Sequence, residues 1–132
     1  MTLRRFQQFL FAVLATILAL RFGVPGLVLG GQWAVENAVV TPLLDSEFRF
    51  LSALAMTVSI TSLWMIPRIE THTRLVQIIA LTTMLGGLAR LLSMTQYGLP
   101  PQKALIATGI ELVLPVLVLV VQHSIDAHRS PK

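Results

Sequence analysis

The chain has 132 residues, 55% of them hydrophobic and 12% charged, with a net charge of +4 and no cysteine. Soluble domains carry roughly 25% charged residues, so this composition and a mean hydropathy of +0.77 leave no room for a soluble domain. The basic residues form no stripe with stacking aromatics, which excludes nucleic acid as a partner, and the lack of cysteine excludes disulfides, thiolate metal sites and cysteine nucleophiles together.

Apolar stretches occupy residues 6–22, 48–66, 75–94 and 104–121. Each approaches the roughly 20 residues that a helix needs to cross a bilayer core. The predicted fold is therefore all-α: an integral-membrane four-helix bundle in one domain over 1–132, with spans at 4–24, 47–66, 73–95 and 102–123.

Arg4 and Arg5 precede the first run, as in a signal peptide. No small-x-small cleavage site follows, so the segment is expected to stay as a span. Gly23, Pro25, Gly26, Gly30 and Gly31 then interrupt an apolar region. The helix either stops near Phe22, leaving an interfacial or re-entrant segment between helices 1 and 2, or runs to about Gly30 with a kink at Pro25. The clustering of Pro and Gly favours the first reading. Gly26 and Gly30 form a GxxxG, a weak signal in so glycine-rich a segment.

The second run carries Ser52, Thr57, Ser59, Thr61 and Ser62. Such hydroxyls usually bond to their own backbone or to a neighbouring helix. Pro67 closes the run, because it lacks an N–H and crowds the preceding turn. Trp64 and Tyr97 sit where interfacial aromatics belong. Gly98-Leu99-Pro100-Pro101 forces a tight turn before the last helix. Short connections make successive helices antiparallel neighbours.

With both termini cytoplasmic, that side holds Arg4, Arg5, Arg68, Arg74, Arg129 and Lys132. The other side holds Arg49 and Lys103, opposed by Glu36, Asp45 and Glu47. The positive-inside rule then gives N-in and C-in.

Charges within the spans need partners or a water-filled cavity. Glu111 is the deepest, about ten residues into the last helix and roughly 13 Å along its axis. Arg90 lies near the end of the third helix, Arg49 opens the second and Arg21 ends the first. All four are expected on the outer half of the bundle, with Glu36, Asp45 and Glu47 at its mouth. Thr83, Gly87, Arg90, Met94 and Tyr97 share one helical face, as do Thr108 and Glu111. Pro115 has no N–H, so the carbonyl of Glu111 loses its helical donor. The candidate pocket is thus Arg21, Asp45, Arg49, Thr83, Arg90, Tyr97, Thr108 and Glu111. A purely structural Arg90–Glu111 ion pair and a proton relay through Glu111 stand beside it.

His123, Asp126 and His128 read as a solvated helix end and not as metal ligands. His72 reads as interfacial. No nucleophile-base-acid order and no phosphate loop is credible. No catalytic residue, metal ligand or cofactor is assigned.

The stretch Leu85-Gly86-Gly87-Leu88-Ala89-Arg90-Leu91-Leu92-Ser93-Met94, followed by Gly98-Leu99-Pro100, resembles a bacterial family known as domain of unknown function 4345. So do Asp45 and Glu47 shortly before Arg49-Phe50, and Glu111 on the last helix. The resemblance covers residues 6–121 and implies small four-helix proteins of the bacterial cytoplasmic (inner) membrane, distantly similar to DoxX-like proteins. Ser52-Ala53 stands where the resemblance implies a glycine pair, which removes one argument for close helix contact there. The family implies no activity. The DoxX-like similarity points to quinone or redox partners by fold analogy alone.

The expected function is a non-enzymatic module that binds a lipid-like or quinone-like molecule, or a membrane protein partner, among the membrane lipids. One alternative is an enzyme on a lipophilic substrate with Glu111 as acid or base, although arginines are poor proton partners for it. Another is a proton-coupled transporter of the size of small multidrug exporters. Those carry their essential glutamate in the first helix, and this first helix has no acid.

Overall fold

Lipid offers no hydrogen bonds to a peptide group, so a chain this apolar must satisfy its backbone internally. Every regular element among the described residues is accordingly helical. The computed structural model describes residues 2–34 and 39–129, without the side chains of Ala34, Lys103 and Arg129. Glu36 and Lys132 lie outside the described residues, as do the side chains of Lys103 and Arg129.

Helix α1 runs from Leu3 to Leu29 without interruption. It does not stop near Phe22, the reading that the Pro and Gly residues favoured. A π-helical stretch, Leu18–Gly23, leads into them, and the α-helical piece Val24–Leu29 continues through Pro25 and Gly26. Pro25 falls in the first turn of the α-helical piece Val24–Leu29, where its missing N–H costs least. That proline cannot serve the carbonyl of Arg21 one turn back, and the Nε1 of Trp33 donates to it instead, at 2.9 Å. The helix ends at Gly30, whose φ of +60° and ψ of −140° suit glycine almost alone.

A single turn, α2 (Gly31–Ala34), follows. Helix α3 (Pro42–Met65) starts with proline at its first position and the Thr41 hydroxyl accepting from the Leu44 N–H, a paired N-terminal signal. Pro67 ends its α-helical course as expected, and the chain tightens into a 3-10 stretch, Ile66–Thr71, broken at Arg68. Helix α4 (Thr73–Tyr97) closes at Gly98, at φ +90°. Helix α5 (Gln102–Arg129) contains Pro115.

Four helical stretches are long and apolar enough to cross a membrane, and only 17% to 22% of each apolar window is buried inside the protein. Leu20, Val28 and Leu85 are more than 60% exposed. A water-soluble protein does not leave so much apolar surface uncovered. This is a multi-pass membrane protein.

The chain divides into two compact units, Gln8–Pro67 and Met1–Gln7 with Arg68–Lys132. In the first unit α1 meets α3 through small residues. A Cβ on Gly26 would sit 1.9 Å from the Ser52 Oγ and 2.8 Å from its Cβ, and one on Gly23 would sit 2.9 Å from the Met56 Cε. The close contact that Ser52-Ala53 seemed to forgo is therefore made, with the glycines supplied by α1. Ser59 donates to the Ala15 carbonyl across the same contact at 2.7 Å, while Ser52 bonds back to Phe48.

In the second unit α4 packs on α5. Val76, Ile79, Ala80, Val118 and Ile125 are buried. Beside them runs a polar chain. Gln7 donates to the Val118 carbonyl and to Gln122, and Gln122 donates to Thr73 and Asp126.

Gly26→Val forces the α1–α3 contact apart. Overpacking of this kind costs about 1–3 kcal/mol, so thermal unfolding in detergent is expected to shift down clearly. Combining it with Ser52→Gly should recover part of the loss. An unshifted single variant means that the two helices are not in contact there.

Candidate functional site

Helix ends leave carbonyls without donors, and a bilayer supplies none. At the end of α1 the donor is Arg49, about two turns into α3. Its Nη1 donates to the carbonyl of Leu27, with a longer contact of 3.4 Å to Val28. Its Nε bonds to the Asp45 carboxylate at 2.8 Å. The other Asp45 oxygen accepts the Gly31 N–H at 2.9 Å. One i,i+4 ion pair thus grips both sides of the break at Gly30. A Cβ on Gly30 would lie 1.9 Å from the Asp45 carboxylate. The pair and the glycine require each other.

Arg49 is only partly engaged. Its side chain is 44% exposed, and its Nη2 has no acceptor among the described residues. It opens onto a cleft of about 420 Å³ lined by Val28, Leu29, Gln32, Val40, Thr41, Pro42, Asp45 and Arg49. That volume falls in the range of small-molecule sites. Apolar walls come from α1 and from the approach to α3. Gln32, Thr41, Asp45 and Arg49 supply its polar groups.

Arg21 does not line this cleft. Its guanidinium lies 5.2 Å over the ring of Trp33, within cation–π range.

The second polar centre belongs to the α4–α5 pair. Arg90 Nε lies 2.8 Å from Glu111 Oε2, with the side chains 39% and 21% exposed. Gly87, one turn before Arg90, makes this possible: a Cβ there would meet Leu112 at 2.9 Å and Glu111 at 3.2 Å. The pair is close, but Oε2 accepts no hydrogen bond of good geometry. It is an electrostatic contact more than a hydrogen bond. Thr83 and Thr108 give their hydroxyl hydrogens to the carbonyls of Ile79 and Ala104. Tyr97 is 86% exposed. No side chain among the described residues donates to the Glu111 carbonyl opposite Pro115.

Of the predicted pocket, then, Asp45 meets Arg49 in one unit and Arg90 meets Glu111 in the other. The chain belongs to the DUF4345 family, a domain of unknown function, whose family model matches residues 6–122. No curated protein matches it, and neither does a solved structure. Membership agrees with the resemblance carried by Arg49, Arg90 and Glu111.

Three features of this DUF4345 chain escape the sequence. Gly30 reads as one glycine among several until its φ is known. Trp33 has no periodic signal, since it lies outside the long helices. Gln7, Gln122, Thr73 and Asp126 are far apart in sequence, and Asp126 looks like part of a solvated tail. Gln7 and Gln122 are 0% and 1% exposed, so this network is interior. No group of three His, Asp or Glu residues that could hold a metal occurs among the described residues.

Two outcomes follow for stability. Gly30→Ala meets both a forbidden backbone region and the Asp45 carboxylate, and should lower the unfolding midpoint more than Gly86→Ala, whose Cβ meets nothing within 4 Å. For the other pair, Arg90→Ala leaves a half-buried carboxylate unpartnered. It should cost about 2 kcal/mol, between the values for exposed and buried pairs. Adding Glu111→Gln should restore part of that in a denaturant titration. Additive losses would mean that the two side chains do not interact.

Proposed function

We propose that this membrane protein is a non-enzymatic binding module for an amphipathic, lipid-like or quinone-like molecule, held at the Arg49 cleft. The observation that carries the reading is the half-exposed guanidinium with uncommitted N–H groups beside apolar walls. A head group that accepts hydrogen bonds can meet Nη2, and its hydrocarbon can lie against Val28 and Leu29. The distribution of basic residues supports an N-in, C-in orientation, which sets this cleft at the outer face. The Arg90–Glu111 pair then serves mainly to hold α4 on α5.

An enzyme built on Glu111 has less support. Its charged neighbour is an arginine, which stays protonated and cannot relay a proton.

Native mass spectrometry of the detergent-purified protein tests the reading. Wild type and Arg90→Ala should both retain an adduct of lipid mass. Val28→Trp, which fills the cleft while keeping both Asp45 and Arg49 in the sequence, should lose it. A clean wild-type spectrum, or an adduct indifferent to Val28→Trp, overturns the assignment to this cleft.

A further inference from the structure

We infer that the Arg49 cleft selects an uncharged amphiphile that presents a carbonyl oxygen, and that it disfavours anionic head groups. This rests on the reading that the cleft holds a ligand, and it names the ligand's chemical class.

The first argument is charge. An arginine at a membrane cleft suggests a phosphate or carboxylate partner. Here, however, Arg49 is already neutralised by Asp45 at 2.8 Å. No other charged residue lines the cleft among the described residues. The helix ends add nothing net: the carbonyl end of α1 carries roughly −0.5 of a charge and the start of α3 roughly +0.5. An anion entering this space would lose hydration without meeting a net positive field.

The second argument is the balance of donors and acceptors. Each Asp45 oxygen already accepts a hydrogen bond, from Gly31 N–H and from Arg49 Nε. The carbonyls of Leu27 and Val28 face Arg49 Nη1. The Thr41 oxygen accepts from Leu44, which leaves its hydrogen to donate. Among the described lining side chains the unused capacity is therefore mostly donors, at Arg49 Nη2, Thr41 and the Gln32 NH2, with the Gln32 amide oxygen as an acceptor beside them. A ligand that fits has acceptors, few donors and no charge. An ester or quinoid carbonyl on a hydrocarbon body has these properties.

The test uses the intact protein in detergent micelles doped with one of three probes. Dioleoylglycerol and dioleoyl phosphatidic acid share their acyl chains and differ by the phosphate. A decyl-substituted benzoquinone separates a quinoid carbonyl from an ester one. Apparent affinities are read by native mass spectrometry and by the shift in unfolding temperature.

Wild type should bind at least one uncharged probe about tenfold more tightly than phosphatidic acid, with little change between low and high salt. Whichever uncharged probe binds identifies the source of the carbonyl. Asp45→Asn keeps an acceptor for the Gly31 N–H but exposes the arginine's charge. It should move the preference toward phosphatidic acid by about tenfold. Phosphatidic acid binding as tightly as the uncharged probes in wild type overturns this inference and leaves the binding reading intact. Failure of all three probes overturns both. An unaltered preference in a folded Asp45→Asn refutes the electrostatic account. If that variant does not fold, the wild-type comparison and its salt series decide.

Discussion

The ion pair between Asp45 and Arg49 fixes the geometry around the first helix break. It joins three things that lipid would otherwise leave unsatisfied: the last carbonyls of α1, the first N–H of α2 and the charge of each partner. Losing either side chain would leave the other charge without its pair and release one side of the break. The backbone must also yield, and it does so at Gly30, the residue best able to turn through a positive φ with a carboxylate at its Cα. The cleft is a by-product of this arrangement. Among its polar groups are the donors of Arg49 that remain once the break has been sealed.

The same economy of polar groups governs the contacts between helices. Burying apolar side chains gives little advantage when the surroundings are as apolar as the side chains. Contacts are instead made by removing atoms. Gly23 and Gly26 admit Met56 and Ser52, and Gly87 admits Leu112 and Glu111. Hydroxyls and amides then add directional bonds, as Ser59 does to Ala15 and Gln7 to Val118. The fully buried positions accordingly include glutamine and serine beside phenylalanine and methionine.

Much of this was legible in the sequence. Apolar run length gave the helical class and the candidate spans, because the bilayer demands both. Pro67 and the Gly98–Pro101 turn gave their helix ends, because proline and glycine act locally. The meeting of Arg90 with Glu111 followed from helical rise and a short turn. What was not legible depended on dihedral angles or distant pairing. The end of α1 was misplaced because a cluster of Pro and Gly ordinarily stops a helix. Here a π stretch moved Pro25 into a tolerated first turn. The Gln7–Gln122 contact spans 115 positions, beyond the reach of any local pattern. The glycines of α1 gained meaning only when Ser52 was found opposite them.

The π stretch in α1 also bears on how this sequence tolerates length changes. A π turn accommodates an extra residue in a helix. Loss of one residue between Leu18 and Gly23 can therefore be absorbed by reversion to a plain α-helix. Every residue after the deletion would keep its azimuth about the axis, so Gly26 would still meet Ser52. The same deletion upstream, within Leu3–Ile17, has no such slack, and would rotate everything before it by about 100° relative to the rest. Tolerance of single-residue deletions along this helix should be concentrated in one turn, just before the point where its sequence looks most fragile.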